Sequence, residues 1–191
     1  MLSLVLDTST PAVTAGLVRD GVVVAERVVV DARRHGELLS VNMATVLAHG
    51  RPDEVVVGVG PGPFTGLRVG IVTAASYADA LGLPVRGVCS LEGMRAPATA
   101  VVTDARRKEV YWAVYDDDGN RVEGPAVGKP ADVRQLLTVP RIVGDGAQLY
   151  GFATSPEPRY PSVALLATSA EALPLTPLYL RRPDAQEMAA R

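Results

Sequence analysis

The sequence predicts an α/β fold made of two related halves, and three observations carry that prediction. First, apolar strand-like runs end twice in an aspartate-headed loop, at Val5-Leu6-Asp7 and at Val102-Thr103-Asp104. Second, each loop is followed by a strand and an Asp-Gly turn, Asp20-Gly21 and Asp118-Gly119, a strong hairpin signal. Third, Gly60-Pro61-Gly62-Pro63-Phe64-Thr65-Gly66-Leu67-Arg68-Val69-Gly70 lies between a valine run and a long apolar segment ending at Gly82. That pattern reads as a strand, a sharp turn and a helix entered at its N-terminus.

The elements follow in order. Leu2 to Leu6 is a buried strand, and Ala12 to Arg19 and Val22 to Val30 form the first hairpin. His35 to Ala48 is helical, with Leu39, Met43, Val46 and Leu47 along one face and Leu38 and Val41 widening the stripe. Gly50 and Pro52 stop it. Val55 to Val59 shows no polar alternation, as expected of a strand covered on both faces. A helix from Thr65 to Leu81, a strand from Val85 to Val88 and a short helix at Leu91 to Arg95, capped by Ser90, complete the first half. Three antiparallel strands, then helix, strand, helix, strand, is the ribonuclease-H-like order. The second half repeats the opening, with Glu109 to Asp116 matching Ala12 to Arg19, and then decays. Ala131 to Leu137 is a helix, Arg141 to Val143 a strand, Ser162 to Leu173 a last helix, and Pro183 to Arg191 a frayed tail. Residues 1–98 and a smaller degenerate repeat, 99–191, therefore predict the duplicated actin/hexokinase-like (ASKHA) architecture with a shortened second half.

Composition narrows the function classes. The 191 residues suffice for one compact domain or two small ones, and with 48% apolar but only 5% aromatic residues the core is Val, Leu and Ala. Nineteen basic against 21 acidic residues, net −2, leave no electrostatic footprint for autonomous nucleic-acid binding. The single cysteine, Cys89, excludes a disulfide framework and agrees with a reducing compartment. Residues 2–6 are too short for a signal peptide's core, and no run approaches the roughly 18 apolar residues of a membrane span. The expectation is a soluble cytoplasmic protein with no membrane partner.

The Asp-headed loops admit two readings. Asp7 either holds a metal-bound water, with Thr8, Ser9 and Thr10 donating to a phosphate, or is a turn residue bonding its own backbone. The second loop lacks a phosphate grip: Asp104 is followed by Ala105-Arg106-Arg107-Lys108, with no glycine to admit a phosphate to the backbone. Gly144-Asp145-Gly146 either touches a nucleotide or turns a strand into a helix. Asp7, Thr8, Ser9, Asp104, Gly144 and Gly146 are therefore expected to be vestigial nucleotide loops, with no cofactor bound tightly by this chain alone. His35 and His49 are 14 residues apart, about 20 Å on one helix at about 1.5 Å per residue, so no metal site is expected. No His-Glu-x-x-His or Gly-x-Ser-x-Gly motif supports peptidase chemistry, and Cys89 reads as a small buried hydrophobe. No catalytic residue is assigned.

Two helices instead suggest a docking surface. On Thr65 to Leu81, Leu67, Ile71, Ala74, Ala78 and Leu81 face the sheet. The opposite side, with Val69, Val72 and Ser76, carries few charges and so faces either a partner, which is the expectation, or the second half folded over it. The expected interface is Leu38, Val41, Asn42, Gly66, Val69, Gly70, Thr73 and Tyr77, with the glycines admitting another helix. Arg33, Arg34, Arg106, Arg107, Lys108, Arg181 and Arg182 form either a solvated surface or a stripe beside a nucleic acid.

With these residues together the chain resembles the TsaB (YeaZ) family. The resemblance rests on Asp7-Thr8-Ser9-Thr10, Arg34-His35-Gly36-Glu37-Leu38-Leu39, the glycine-proline run and Ser90-Leu91-Glu92. It continues through Asp104-Ala105-Arg106-Arg107-Lys108-Glu109-Val110-Tyr111, Gly144-Asp145-Gly146-Ala147 and Tyr179-Leu180-Arg181, so it spans nearly the whole chain. It implies a non-catalytic subunit of the bacterial machinery that places N6-threonylcarbamoyladenosine (t6A) at adenosine 37 of ANN-decoding tRNAs. The implied partners are the paralogue TsaD, which pairs through the N-terminal helices, and the ATPase TsaE. A homodimer through the same helices is implied in their absence, and tRNA is met only within the complex. The alternative from another class is an independent actin-like ATP-dependent phosphotransferase or hydrolase, with a glycoprotease-type peptidase ranked below it.

Overall fold

The computed structural model describes residues 1–181 and arranges them around two mixed sheets. The first half runs β1 (Leu2–Asp7), β2 (Ala12–Arg19), β3 (Val22–Val30), α1 (His35–Leu47), β4 (Glu54–Gly58), α2 (Phe64–Leu81) and β5 (Val85–Val88). The second runs β6 (Thr99–Asp104), β7 (Val110–Tyr115), β8 (Arg121–Gly128), α3 (Pro130–Leu136), β9 (Arg141–Val143), α4 (Asp145–Leu149) and α5 (Val163–Ala167). The strand orders are β3-β2-β1-β4-β5 and β8-β7-β6-β9, the same order except that the second sheet has no fifth strand among the described residues. In both, the first strand pairs antiparallel with the second and parallel with the fourth. This is the actin/hexokinase-like arrangement of two ribonuclease-H-like sheets.

Local chemistry accounts for the borders. Asp20 and Gly21 both have positive φ, 50° and 83°, the backbone that a right-twisted hairpin needs at a two-residue turn. Gly82 caps α2 in the left-handed conformation, φ 63°, and Pro84 follows. A 3₁₀ turn at Ser90–Met94 replaces the expected short helix and is buried throughout.

One face of the first sheet is covered by α1 and α2, whose Leu39, Met43, Val46, Leu67, Ile71 and Ala74 join Leu4, Leu6, Val13, Val55 and Val57 in one cluster. The other face is covered from the far end of the chain. Val163 and Leu166 of α5 pack on Val5, Val18, Val56 and Val88, so the valine-rich β4 has its second cover. A Cβ at Gly16 would sit 2.8 Å from Val163 Cγ2, which shows how closely α5 lies.

The last helix is shorter than the sequence predicts. Instead of running from Ser162 to Leu173 it stops at Ala167. Arg86 on β5 explains the stop: its guanidinium donates to the carbonyls of Ala167 (2.8 Å), Ser169 (3.1 Å) and Glu171 (2.8 Å). These bonds hold the chain after Ala167 against β5 in a non-helical course. The chain then pairs with the sheet edge, Gly87 and Leu173 exchanging both backbone hydrogen bonds at 2.9 and 2.8 Å. The expected frayed tail, Pro183 to Arg191, lies outside the described residues. Among the described residues no helix is long and apolar enough to cross a membrane.

Between the sheets lies a second core of Cys89, Leu91 and Met94 against Val101, Ala113, Tyr115 and Val143. Beside it, Glu92 Oε1 accepts from Tyr115 Oη (3.1 Å) and Arg121 Nη1 (3.0 Å), and Arg121 also pairs with Glu171. Burial pushes the Glu92 carboxyl up while the Arg121 charge pulls it back. This network joins both halves and the returning C-terminal segment.

Candidate functional site: two aspartate loops and a helical flank

β1 delivers Asp7 to the centre of the first half, where its carboxylate is 1% exposed. Oδ1 accepts from the Ser9 amide (2.9 Å) and Ser9 Oγ (2.7 Å), and Oδ2 accepts from Ser90 Oγ (2.6 Å). Ser90 Oγ in turn accepts from the Gly60 amide at 3.1 Å, which ties the glycine-proline turn into the same knot. Burial raises the Asp7 pKa, and the Ser90 and Ser9 bonds oppose that rise. A Cβ at Gly58 would fall 1.8 Å from Asp7 Oδ2, so the backbone of β4 closes the remaining side. The carboxylate is committed to holding three loops together.

The glycine-proline run packs on this loop, which corrects part of the interface expected from sequence. Gly66 and Gly70 were expected to admit a partner helix. They admit the chain's own Thr8, to which an added Cβ would approach within 2.5 Å (carbonyl oxygen) and 2.4 Å (Oγ1) respectively. Thr8 Oγ1 donates to the Gly66 carbonyl at 2.7 Å. Asn42 is likewise turned inward at 0% exposure, its amide donating to the Val13 carbonyl (2.8 Å) and its oxygen accepting from Arg27 Nε (2.9 Å). A polar residue on the core side of α1 is thus satisfied by the edge of the sheet, a partner that helical periodicity alone does not reveal.

The other residues of the expected interface reach the surface. On α1 and α2, which pack side by side, Val41 is 52% exposed and Leu38, Val69, Thr73 and Tyr77 are half-buried. Val72, 61% exposed, extends the same flank.

The second loop is built differently. Asp104 Oδ1 accepts from the Arg106 amide at 2.9 Å and Oδ2 pairs with Arg106 Nη1 at 3.3 Å. Arg106, Arg107 and Lys108 are all left-handed, with φ of 62°, 52° and 61°. Gly144 and Gly146 let α4 close on β6: a Cβ at Gly144 would lie 2.2 Å from the Val102 carbonyl oxygen, and one at Gly146 2.5 Å from the Thr103 carbonyl carbon. Asp145 Oδ1 accepts from the Asp104 amide at 3.2 Å, and burial raises the Asp145 pKa.

The two histidines stand at opposite ends of α1, and His35 Nε2 bonds the Thr10 carbonyl at 3.0 Å. Among the described residues no three His, Cys, Asp or Glu side chains gather as a metal site. Cys89 is buried and its thiol pKa is pushed up to about 12 by desolvation. Of the basic residues, Arg34 pairs with Glu37 at 3.0 Å and Arg181 with Glu109, while Arg33 and Arg106 line one cleft. Arg182 lies outside the described residues. Sequence reasoning missed a stack of Phe64 on Tyr179, 5.4 Å between centroids at 16°, with Arg68 4.1 Å over the Phe64 ring. The only signal for it was one of two phenylalanines placed in a turn.

Comparison with known proteins gives this geometry a lineage. The family described as TsaD, tRNA N6-adenosine threonylcarbamoyltransferase, matches residues 30–173. A Mycobacterium leprae protein is 50% identical over 206 residues, covering 98% of this chain but only 56% of its own length. A Mycobacterium tuberculosis protein is 51% identical, covering 97% of this chain and 94% of its own length. The Escherichia coli tRNA threonylcarbamoyladenosine biosynthesis protein TsaB is 34% identical over 153 residues, 72% of this chain and 66% of that protein. The solved structure of YeaZ from Pseudomonas aeruginosa superposes with a TM-score of 0.72 at 25% identity, covering 94% of this chain and 100% of that one. The chain belongs to the TsaD-type family and, within it, to the TsaB/YeaZ proteins.

Proposed function

We propose that this chain is a scaffold and activating subunit in the biosynthesis of t6A in tRNA. The observation that carries the reading is a contrast within the first half. Its one carboxylate placed for nucleotide chemistry, Asp7, is buried and fully occupied by Ser9 and Ser90, while the α1–α2 flank leaves Val41 and Val72 in water. The name of the E. coli relative supports the pathway. In this reading the flank of the 1–98 half, through Leu38, Val41, Val69, Val72, Thr73 and Tyr77, docks TsaD. It forms a homodimer through the same surface when TsaD is absent. TsaE joins the pair, tRNA is engaged only in the assembled complex, and the chain holds no cofactor tightly by itself. Threonylcarbamoyl transfer to adenosine 37 belongs to the partner. The protein works in the cytoplasm.

The experiment mixes the purified chain with the TsaD of its own organism and measures association by sedimentation. Burying two exposed valines contributes about 1.5 kcal/mol each, so Val41→Arg with Val72→Arg weakens association by about a hundredfold or more. Unaltered association in a variant that melts like wild type overturns the docking face. Calorimetric titration of the chain with Mg-ATP is expected to give no saturable heat, and a tight complex abolished by Asp7→Ala restores the phosphotransferase alternative.

A further inference from the structure

We infer that the outer edge of β3 pairs antiparallel with the same edge of a second copy of this chain, joining two first sheets into one. The outer strands are β3 and β5 in the first sheet and β8 and β9 in the second. A bare strand edge invites pairing with another chain, so folded proteins cover or interrupt it. Among the described residues every edge but that of β3 is treated in this way. β5 is covered by the exchange of backbone bonds between Gly87 and Leu173. On β9 the Ile142 amide donates to Thr154 Oγ1 (2.7 Å) and the Ile142 carbonyl accepts from the Thr154 amide (2.9 Å). β8, the counterpart of β3, carries Pro125, which has no N–H, and its register against β7 is broken twice. β3 has no proline or glycine in its nine residues, and six of them are valine, a composition that favours strand pairing. Its one register shift lies nearer the Asp20-Gly21 turn and leaves Ala25 to Val30 regular.

The ladder decides which backbone groups are free. The Asp31 amide donates to the Pro11 carbonyl at 2.9 Å, one step beyond the pairs Ala12↔Val30 and Val13↔Val29. Bonded and non-bonded pairs alternate in an antiparallel ladder, so Val29 and Arg27 turn their backbone groups to β2 while Val30, Val28 and Glu26 turn theirs outward. Side chains alternate as well. Arg27 reaches Asn42 and Ala25 packs towards α1, which leaves Glu26, Val28 and Val30 on the opposite face, the two valines 44% and 57% exposed. A two-fold axis perpendicular to the sheet preserves faces, so opposed residues differ by an even number. An axis at Glu26 or at Arg27 opposes that charge to its own copy, which is destabilising. An axis at Val29 moves Glu26 past the end of the other strand. An axis at Val28 opposes Val28 to itself, Glu26 to Val30 and Arg27 to Val29, with Asp31 of the second copy diagonal to Arg27. It opposes no like charges and uses every outward group from Glu26 to Val30. This self-complementarity, which an isologous contact requires, identifies the occupant as a second copy. The edge is separate from the α1–α2 flank, because neither Val41 nor Val72 lies on β3. A complex docked through the flank is therefore free to double through the edge, and the two readings fail separately.

The test sediments the full chain over a concentration series, as wild type and as the Val41→Arg with Val72→Arg variant that disables the flank. A dimer is expected to persist in that variant. Adding Val28→Pro spares the β2 ladder, because the Val28 amide points outward, and removes the same donor from both copies. Association is expected to weaken about thirtyfold, the equivalent of about 1 kcal/mol for each lost bond. Thermal melting checks that each variant is folded. Cross-linking gives a second readout that needs no proline. Hydrogen-bonded opposed residues have Cα atoms about 5.5 Å apart, within the span of a disulfide, so Val28→Cys is expected to form a covalent dimer under mild oxidation. Val22→Cys, at a site 68% exposed but outside the paired stretch, is expected to remain monomeric, and the native Cys89 is buried away from the reaction. A flank variant that is monomeric throughout the series, an association that folded Val28→Pro leaves unchanged, or faster cross-linking at position 22 than at 28 overturns the inference.

Discussion

The loops after β1 and β6 occupy equivalent places in two sheets of the same strand order, yet they are stabilised in opposite ways. Asp7 is enclosed, accepts three hydrogen bonds from serine groups and is packed by the glycine-proline run. Asp104 is half-buried, serves the Arg106 amide and the exposed Arg106 guanidinium, and leads into three left-handed basic residues. One strand–Asp–strand unit has become core, and its copy has become a charged edge. A repeat preserves backbone topology more readily than it preserves the use of a side chain, because topology depends on many apolar contacts and a side chain's use on a few neighbours.

The largest expected effect comes from breaking the enclosure itself. Gly58→Ala puts a methyl where Asp7 Oδ2 stands, and because that carboxylate is locked it is expected to destabilise the fold by about 4 kcal/mol in urea unfolding. Direct comparison of the two aspartates comes next. Asp7→Ala strands three buried donors and is expected to lose about 3 kcal/mol, whereas Asp104→Ala is expected to lose about 1 kcal/mol. Equal losses would remove the contrast between the loops.

A pH series sharpens the same contrast. The folded Asp7 pKa is raised above its ordinary value of 3.8 by burial, so the folded state binds its proton more tightly than the unfolded chain does. Its contribution to stability is therefore complete below 3.8 and is lost as pH rises through the raised folded pKa. The stability of wild type relative to Asp7→Asn is expected to decline over that window, measured as the difference between paired urea melts. The smallest effect belongs to the strained second loop. Lys108→Gly relieves a left-handed backbone but frees the unfolded chain, for a net gain of about 0.5 kcal/mol in thermal unfolding.

Much of the architecture was legible in the sequence because its signals are local. The Asp20-Gly21 turn, the Gly82 stop and the alternation of apolar runs each constrain their own few residues, and the repeated Asp-headed loop pointed to the duplication. The exposure of the two helices was legible in part: Val41, Val69, Thr73 and Tyr77 reach the surface, whereas Asn42, Gly66 and Gly70 face Val13, Arg27 and Thr8 within the same chain. Small residues on a helix announce a close approach without naming what approaches. Nor could a pattern foresee that Arg86 would gather three carbonyls and end α5 early, or that Tyr179 would stack on Phe64 from 115 residues away.

The amino-acid order alone determined the two-half α/β plan, its hairpins, the limits of α1 and α2 to within a residue and the absence of glycine directly after Asp104, because backbone preference and hydrophobic period act over a few neighbouring residues. Only the tertiary structure decided that Asp7 is consumed internally, that the far end of the chain covers the first sheet, and that Tyr179 stacks on Phe64. Those outcomes depend on contacts between segments distant in sequence, whose partners are selected by the packing of the whole chain.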